Sequence, residues 1–91
     1  MKNYKKLLSI ITVVKNDVYN IEKTIKSIIS QKNINIEYII IDGLSRDGTI
    51  KIVNKYKKKI DRIITEKDNG IYYAMNKGIK LAKGKYIGFC N

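Results

Sequence analysis

Short runs of β-branched residues recur along this chain with a helix-length amphipathic stretch between each pair, and that alternation leaves few folds open. The first run, residues 7–14, reads LLSIITVV and is stopped by Lys15, Asn16 and Asp17. An uninterrupted apolar run of this length suits a strand covered on both faces, as in a parallel sheet. Over residues 20–31 the isoleucines at 21, 25, 28 and 29 fall on one side of a helix, with Glu22, Lys23 and Lys26 off that stripe. Residues 36–42, IEYIIID, repeat the strand signature, and Gly43 marks the turn where the backbone leaves the sheet.

The second half continues the pattern. In LSRDGT, Ser45 and Asp47 are N-cap candidates for a helix whose inner face is expected to be Ile52, Val53, Tyr56 and Ile60, with Lys57, Lys58 and Lys59 in its last turn. Residues 60–65 predict a third, weaker strand. Asp68, Asn69 and Gly70 then form a loop before a helix to about residue 82, with an expected buried stripe of Ile71, Met75, Ile79 and Ala82. Ala74 and Gly78 let that helix approach the sheet closely, Gly84 is expected to stop it, and residues 86–90 read as a fourth strand. The order βαβαβαβ, with short connections and no internal repeat, predicts an α/β fold: a parallel sheet with flanking helices, formed as one unit over residues 1–91.

Composition narrows the chemistry. With 44% hydrophobic and 30% charged residues the chain is globular in type, and 91 residues suffice for one small domain. The net charge of +11 invites a polyanion-binding reading. The lysines, however, are spread over every segment and arginine is scarce, which points to a lysine-biased proteome, and nucleic acid is not an expected partner. The single Cys90 has no partner for an internal disulfide and is expected to be buried in its strand. Without histidine there is neither a zinc-ligand set of the usual kind nor an imidazole base, so chemistry must come from carboxylates, amides and backbone groups. The opening MKNYKKLLSIITVV has lysines before an apolar run but no small-residue cleavage site, and no segment is long enough to span a membrane, so a cytoplasmic location is expected.

In an open α/β sheet, ligands bind beyond the carboxyl ends of the strands. That selects residues 13–16, 42–45 and 68–70. Phosphates are drawn to free N–H groups at helix starts, and Asp42 can accept from a ribose hydroxyl or a base N–H. Each residue also has a purely structural reading. Asp42 can cap a turn; Ser45, Asp47 and Gly48 can shape one; Asn76 can bond a neighbouring loop; Tyr72 and Tyr73 are expected to pack rather than to stack on a ligand. No GxGxxG follows the first strand, where the sequence is ITVVKNDVYN, and no Walker A sequence occurs, so the dinucleotide fold and the P-loop are disfavoured.

Three segments together, SIITVVKN, IEYIIIDGLSRDGT and EKDNGIYYAMNKGIKLAKGKYIGFCN, resemble the inverting family 2 glycosyltransferases, particularly those that build bacterial polysaccharides. They cover nearly the whole chain in the family's order and spacing. The resemblance implies a GT-A fold, here incomplete, and transfer of a sugar from a nucleoside-diphosphate sugar to a glycan or lipid-linked acceptor. It further implies donor-binding roles for Val13, Val14, Lys15, Asn16, Asp42, Gly43 and Asp68, while Ser45, Asp47, Gly48, Asn76 and Gly78 shape loops and helix. Many members carry a second aspartate after the first at the end of strand two, where this chain has Gly43.

Family members follow the equivalent of FCN with a D-x-D type motif that holds a divalent ion, Mg or Mn, and this chain ends at Asn91. The expectation is therefore a donor-binding N-terminal part that binds no metal alone, contains no catalytic residue and transfers no sugar. Peripheral association with the inner face of the membrane, and self-association through the open sheet edge beside strand four, are further expectations. The alternatives are a stand-alone nucleotide-binding remnant and a small basic module for RNA or anionic surfaces.

Overall fold

The computed structural model describes residues 5–90, so the opening MKNY and Asn91, on which part of the family resemblance rests, lie outside the described residues. The elements are β1 (Lys6–Val14), α1 (Ile21–Ile29), β2 (Ile36–Asp42), α2 (Thr49–Lys55), β3 (Arg62–Thr65), α3 (Ile71–Leu81) and β4 (Gly84–Phe89), with a 3₁₀ turn at Lys57–Lys59. All pairings are parallel and the strand order is β3-β2-β1-β4. The chain steps outward from β1 to β3 and then crosses back to the other side of β1. That reversal puts the switch point beside the C-terminal end of β1.

Strand alternation explains the two cores. Tyr38 and Ile40 of β2 and Val14 of β1 face α1 and α2, packing with Ile21, Ile25, Ile28, Val53 and Ile60. Ile39, Ile41 and Ile11 point the other way, against Ala74 of α3. Because β2 is covered on both faces, all of Glu37–Asp42 is buried, as its unbroken apolar run predicts. In α1 the isoleucine stripe is buried at Ile21, Ile25 and Ile28, while Ile29 at the helix end is only partly covered.

Three element expectations need correction. First, α2 ends at Lys55, and Lys57, Lys58 and Lys59 form a separate 3₁₀ turn. The tightening satisfies terminal carbonyls: the Tyr56, Lys59 and Ile60 amides donate to Val53, Tyr56 and Lys57. Ile60 still reaches the core, but from an extended residue beyond the helix. Second, the face α3 turns to the sheet is Ala74 and Gly78, while Ile71 and Ile79 remain 53% and 43% exposed. A Cβ on Gly78 would lie 2.6 Å from Ile11 Cγ2, so the helix seats on its smallest residues and the larger apolar side chains are left at the flanks. Met75 and Ala82, also expected in that stripe, are half-buried.

Third, Gly84 does not stop α3. The helix ends at Leu81, the next residue Ala82 is already extended, and Gly84 is the first residue of β4. There an added Cβ would meet the Ser9 amide nitrogen at 2.5 Å, so glycine is needed for strand contact rather than for a turn. Tyr72 and Tyr73 also depart from expectation: at 77% and 59% exposed they pack in neither core. Cys90 lies just past β4 and is half-buried rather than buried within it. Among the described residues no helix is long and apolar enough to cross a membrane.

Candidate functional site

At the C-terminal ends of the strands, two loops are laced together by short polar side chains. Asn16 sits in the left-handed region at φ 51°, a conformation asparagine tolerates better than most residues. Its amide donates to Ser45 Oγ at 2.7 Å and its Oδ1 accepts the Arg46 amide at 2.7 Å. The Asp17 amide donates to Thr49 Oγ1 at 2.9 Å, and the Val18 amide donates to Asp47 Oδ2 at 3.1 Å. Asp47 Oδ1 in turn accepts the Thr49 hydroxyl and, at 3.1 Å, the Thr49 amide. The Thr49 hydroxyl and then the Val18 and Thr49 amides hold the Asp47 carboxyl below the usual carboxylate range. Gly48, at φ 97°, is the residue immediately before α2, so Asp47 caps the helix from one position earlier and Ser45 serves another partner.

That partner is Asp42. Its carboxylate is fully buried and accepts the Ser45 amide at 3.0 Å, the Ser45 hydroxyl, and the Thr65 hydroxyl at 2.7 Å. Its backbone carbonyl accepts the Glu66 amide at 3.0 Å. A buried carboxylate is tolerated only when such donors replace water. Asp42 thus ties β2 to the loop after it and to the end of β3, and Thr65 is a partner that nothing in the local sequence pattern singles out.

Above this scaffold lies a cleft of about 290 Å³ lined by Val13, Val14, Lys15, Asp68, Gly70 and Ile71. Of the seven residues the family resemblance marks for donor binding, Val13, Val14, Lys15 and Asp68 line this cleft. Gly43 does not line the cleft but lies against two residues that do, since a Cβ there would be 3.1 Å from Asp68 Oδ2 and 3.4 Å from Lys15 Cδ. Asn16 and Asp42 do not line it and belong to the bonded scaffold beneath. Ile71 is a lining residue that the sequence reading assigned to the core; only its place at the first turn of α3, next to the loop, could have signalled otherwise.

The helix start matters for the electrostatics. Gly70 precedes α3 at φ 121°, its amide donates to Asp68 Oδ1 at 3.1 Å, and no side chain caps the helix. Gly70 and Ile71 both line the cleft, so the positive end of the α3 dipole lies beside it and would favour an anion there. The exposed Lys15 adds a cation to the lining. Val13, Val14 and Ile71 supply an apolar surface and Asp68 an acceptor, so the cleft combines sites for an anion, a flat apolar group and a hydrogen-bond donor.

Two buried polar clusters lie apart from the cleft. Thr12 Oγ1 donates to the Cys90 carbonyl at 2.6 Å and lies 2.9 Å from the Tyr38 hydroxyl. The single Thr12 proton is thereby committed, so Tyr38 is the donor to Thr12. At the other end of the sheet Glu37 Oε1 accepts the Ser9 hydroxyl at 2.7 Å and the Lys83 amide at 2.8 Å, while the Gly84 amide donates to Ser9 Oγ at 2.8 Å. Among the described residues no group of three or more Asp, Glu, Cys or His side chains comes together to hold a metal ion.

Comparison with known proteins agrees with this architecture. The chain is 38% identical over 92 residues to the putative teichuronic acid biosynthesis glycosyltransferase TuaG of Bacillus subtilis (strain 168), covering 98% of this chain and 36% of that protein. It is 44% identical over 86 residues to the Escherichia coli UDP-Glc:alpha-D-GlcNAc-diphosphoundecaprenol beta-1,3-glucosyltransferase WfaP, covering 91% of this chain and 34% of the relative. The chain thus spans about a third of the length of these curated relatives. Among solved structures, S. aureus TarS 1-349 superposes with a TM-score of 0.81 at 25% identity, over 91% of this chain and 26% of that one. A mannosyltransferase from Pyrobaculum calidifontis, solved with GDP-Man and Mn2+, gives 0.78 at 21% identity over 92% of this chain and 26% of its own, a likeness of fold alone. The family model for glycosyl transferase family 2 matches residues 9–91, and the chain belongs to this family.

Proposed function

We propose that this chain is the donor-binding part of a glycosyltransferase that moves a sugar, with inversion, from a nucleoside-diphosphate sugar to a glycan or lipid-linked acceptor during synthesis of a cell-surface polysaccharide. The observation that carries the reading is the cleft at the end of β1, which is lined by Lys15, by Gly70 and Ile71 at the start of α3, by Asp68 and by the apolar Val13 and Val14. The diphosphate would meet the α3 amides and Lys15, and the nucleoside would lie against Val13 and Val14 with a hydroxyl or imide donor toward Asp68. Inversion means a single displacement: the acceptor hydroxyl forms the new bond at the anomeric carbon as the bond to the diphosphate breaks. Groups that stabilise charge growing on the departing diphosphate then speed the reaction.

The divalent ion that the family resemblance implies has no complete ligand set among the described residues, so no step is assigned to it. Asp68 is the only carboxylate lining the cleft, and it faces the donor. We expect the 91-residue chain to bind nucleotide and to transfer no sugar by itself. The acceptor named for the E. coli relative is a diphosphoundecaprenol, which supports a place in the cytoplasm at the inner face of the membrane.

Uridine nucleotides are the first ligands to test, because WfaP is named for UDP-Glc and TarS was solved with UDP-GlcNAc. Calorimetric titration should show UDP binding that weakens roughly tenfold in Lys15→Ala, as loss of a charge-assisted contact implies. Failure of UDP, GDP and UDP-GlcNAc alike to bind at millimolar concentration would remove this reading, and sugar transfer by the chain alone would remove the inactivity expected of it.

A further inference from the structure

Two residues that line the cleft, Lys15 and Asp68, pack against a residue without a side chain. Gly43 directly follows β2, is buried, and has no positive φ, so its backbone does not require glycine. Space is tight there: a Cβ would stand 3.1 Å from Asp68 Oδ2, 3.6 Å from Asp68 Cγ and 3.4 Å from Lys15 Cδ. The first distance is tighter than an ordinary carbon–oxygen contact, so a methyl at this position shifts the Asp68 carboxylate by a few tenths of an ångström and a larger side chain aimed the same way displaces it further. Asp42, the neighbouring carboxylate, has its oxygens engaged by Ser45 and Thr65 beneath the cleft. Asp68 is therefore the carboxylate that reaches the cleft, and it does so through the gap that Gly43 leaves.

We propose that Gly43 is a positioning and specificity-determining residue: by lacking a side chain it seats the Asp68 carboxylate and the Lys15 stem over the end of β2, so that the donor-reading carboxylate comes from the β3–α3 loop. This rests on the donor-binding reading of the cleft and goes beyond it by assigning which loop reads the nucleoside. A carboxylate at position 43 and one at position 68 compete for the same space. The ligand selected is one that places hydrogen-bond donors, from a ribose diol or a base imide, at Asp68 Oδ2, with its phosphates on the Lys15 and α3 side.

The placement of Asp68 has a reporter that needs no nucleotide. The Gly70 amide donates to Asp68 Oδ1 at 3.1 Å, so its NMR chemical shift follows that carboxylate. In the full chain, Gly43→Ala and Gly43→Asp should each move the Gly70 amide resonance, whereas Lys85→Gln, on the exposed edge strand, should not. For UDP, Gly43→Asp should weaken binding about tenfold by displacing Asp68. The double variant Gly43→Asp with Asp68→Gly should recover binding to within about threefold of the parent, because the carboxylate returns from the other loop. A purely structural glycine would not show that rescue. An unmoved Gly70 amide in Gly43→Asp, or a double variant that binds no better than Gly43→Asp alone, overturns the proposal. If the Gly70 amide moves but the parent chain binds no nucleotide, the steric seating of Asp68 stands, while its role in specificity falls together with the donor-binding reading.

Discussion

Asp42 and Tyr38 show how much a single buried polar atom can decide. Asp42 was legible as the acidic end of a strand, but its partner Thr65 comes from β3, and strand neighbours cannot be read from local pattern. Because its buried carboxylate holds the Ser45 and Thr65 donors, Asp42→Ala should lower unfolding stability by about 3 kcal/mol in urea titration; a loss under about 1 kcal/mol would show those donors find water instead. Tyr38, fully buried with its hydroxyl on Thr12, has its phenol pushed up to about 12 by burial, against an ordinary value of 10.0. The folded state holds that proton more tightly than the unfolded chain. Its stabilisation is therefore whole below about pH 10 and is lost as pH rises through about 12. The difference corresponds to on the order of 2–3 kcal/mol. In an absorbance titration of tyrosinate, the step absent from Tyr38→Phe should appear at about pH 12; ionisation of Tyr38 near its ordinary value of 10.0 would contradict its burial.

Among the elements, strand positions were the most legible, because a run of branched apolar residues can be buried on both faces only as a central strand. Residues 36–42 read from sequence coincide with β2, and Ile52, Val53, Tyr56 and Ile60 do reach the core beside α2, whereas the length of α2 and the inner face of α3 were misjudged. Periodicity identifies the apolar side of a helix but does not weigh a small residue that permits close approach against a large one that prevents it. Two glycines test this. Gly78→Ala would drive a methyl into Ile11, a fully buried β-branched residue with no room to turn, and should destabilise by about 1–2 kcal/mol despite alanine's better helix propensity. Gly84→Ala meets backbone as well, 2.5 Å from the Ser9 amide nitrogen, and should cost more, roughly 3 kcal/mol, by separating β4 from β1. Equal denaturation midpoints for the two variants would mean that β4 is held more loosely than its pairing implies.

At the scale of the molecule, β3 and β4 are the two sheet edges, and only β4 carries large exposed apolar side chains, with Tyr86 58%, Ile87 40% and Phe89 43% exposed. Unpaired backbone beside such residues invites pairing with another copy. Light scattering during gel filtration should show mass rising with concentration up to about 100 μM, and Ile87→Lys should restore the monomer. A parent chain that stays monomeric over that range would show that the edge is protected. By itself the sequence determined the element order, the parallel α/β class and the residues that gather at the strand ends, because side-chain periodicity and loop chemistry act over a few residues. Only the tertiary structure decided that Asp42 and Asn16 belong to the scaffold while Asp68 reaches the cleft, and that Ile71 and Ile79 stay exposed beside the close approach of Ala74 and Gly78 that the sequence did suggest. Those outcomes depend on contacts between residues such as 42 and 65, 43 and 68, or 11 and 78, which become neighbours only once parallel strands are paired and a helix has crossed over them.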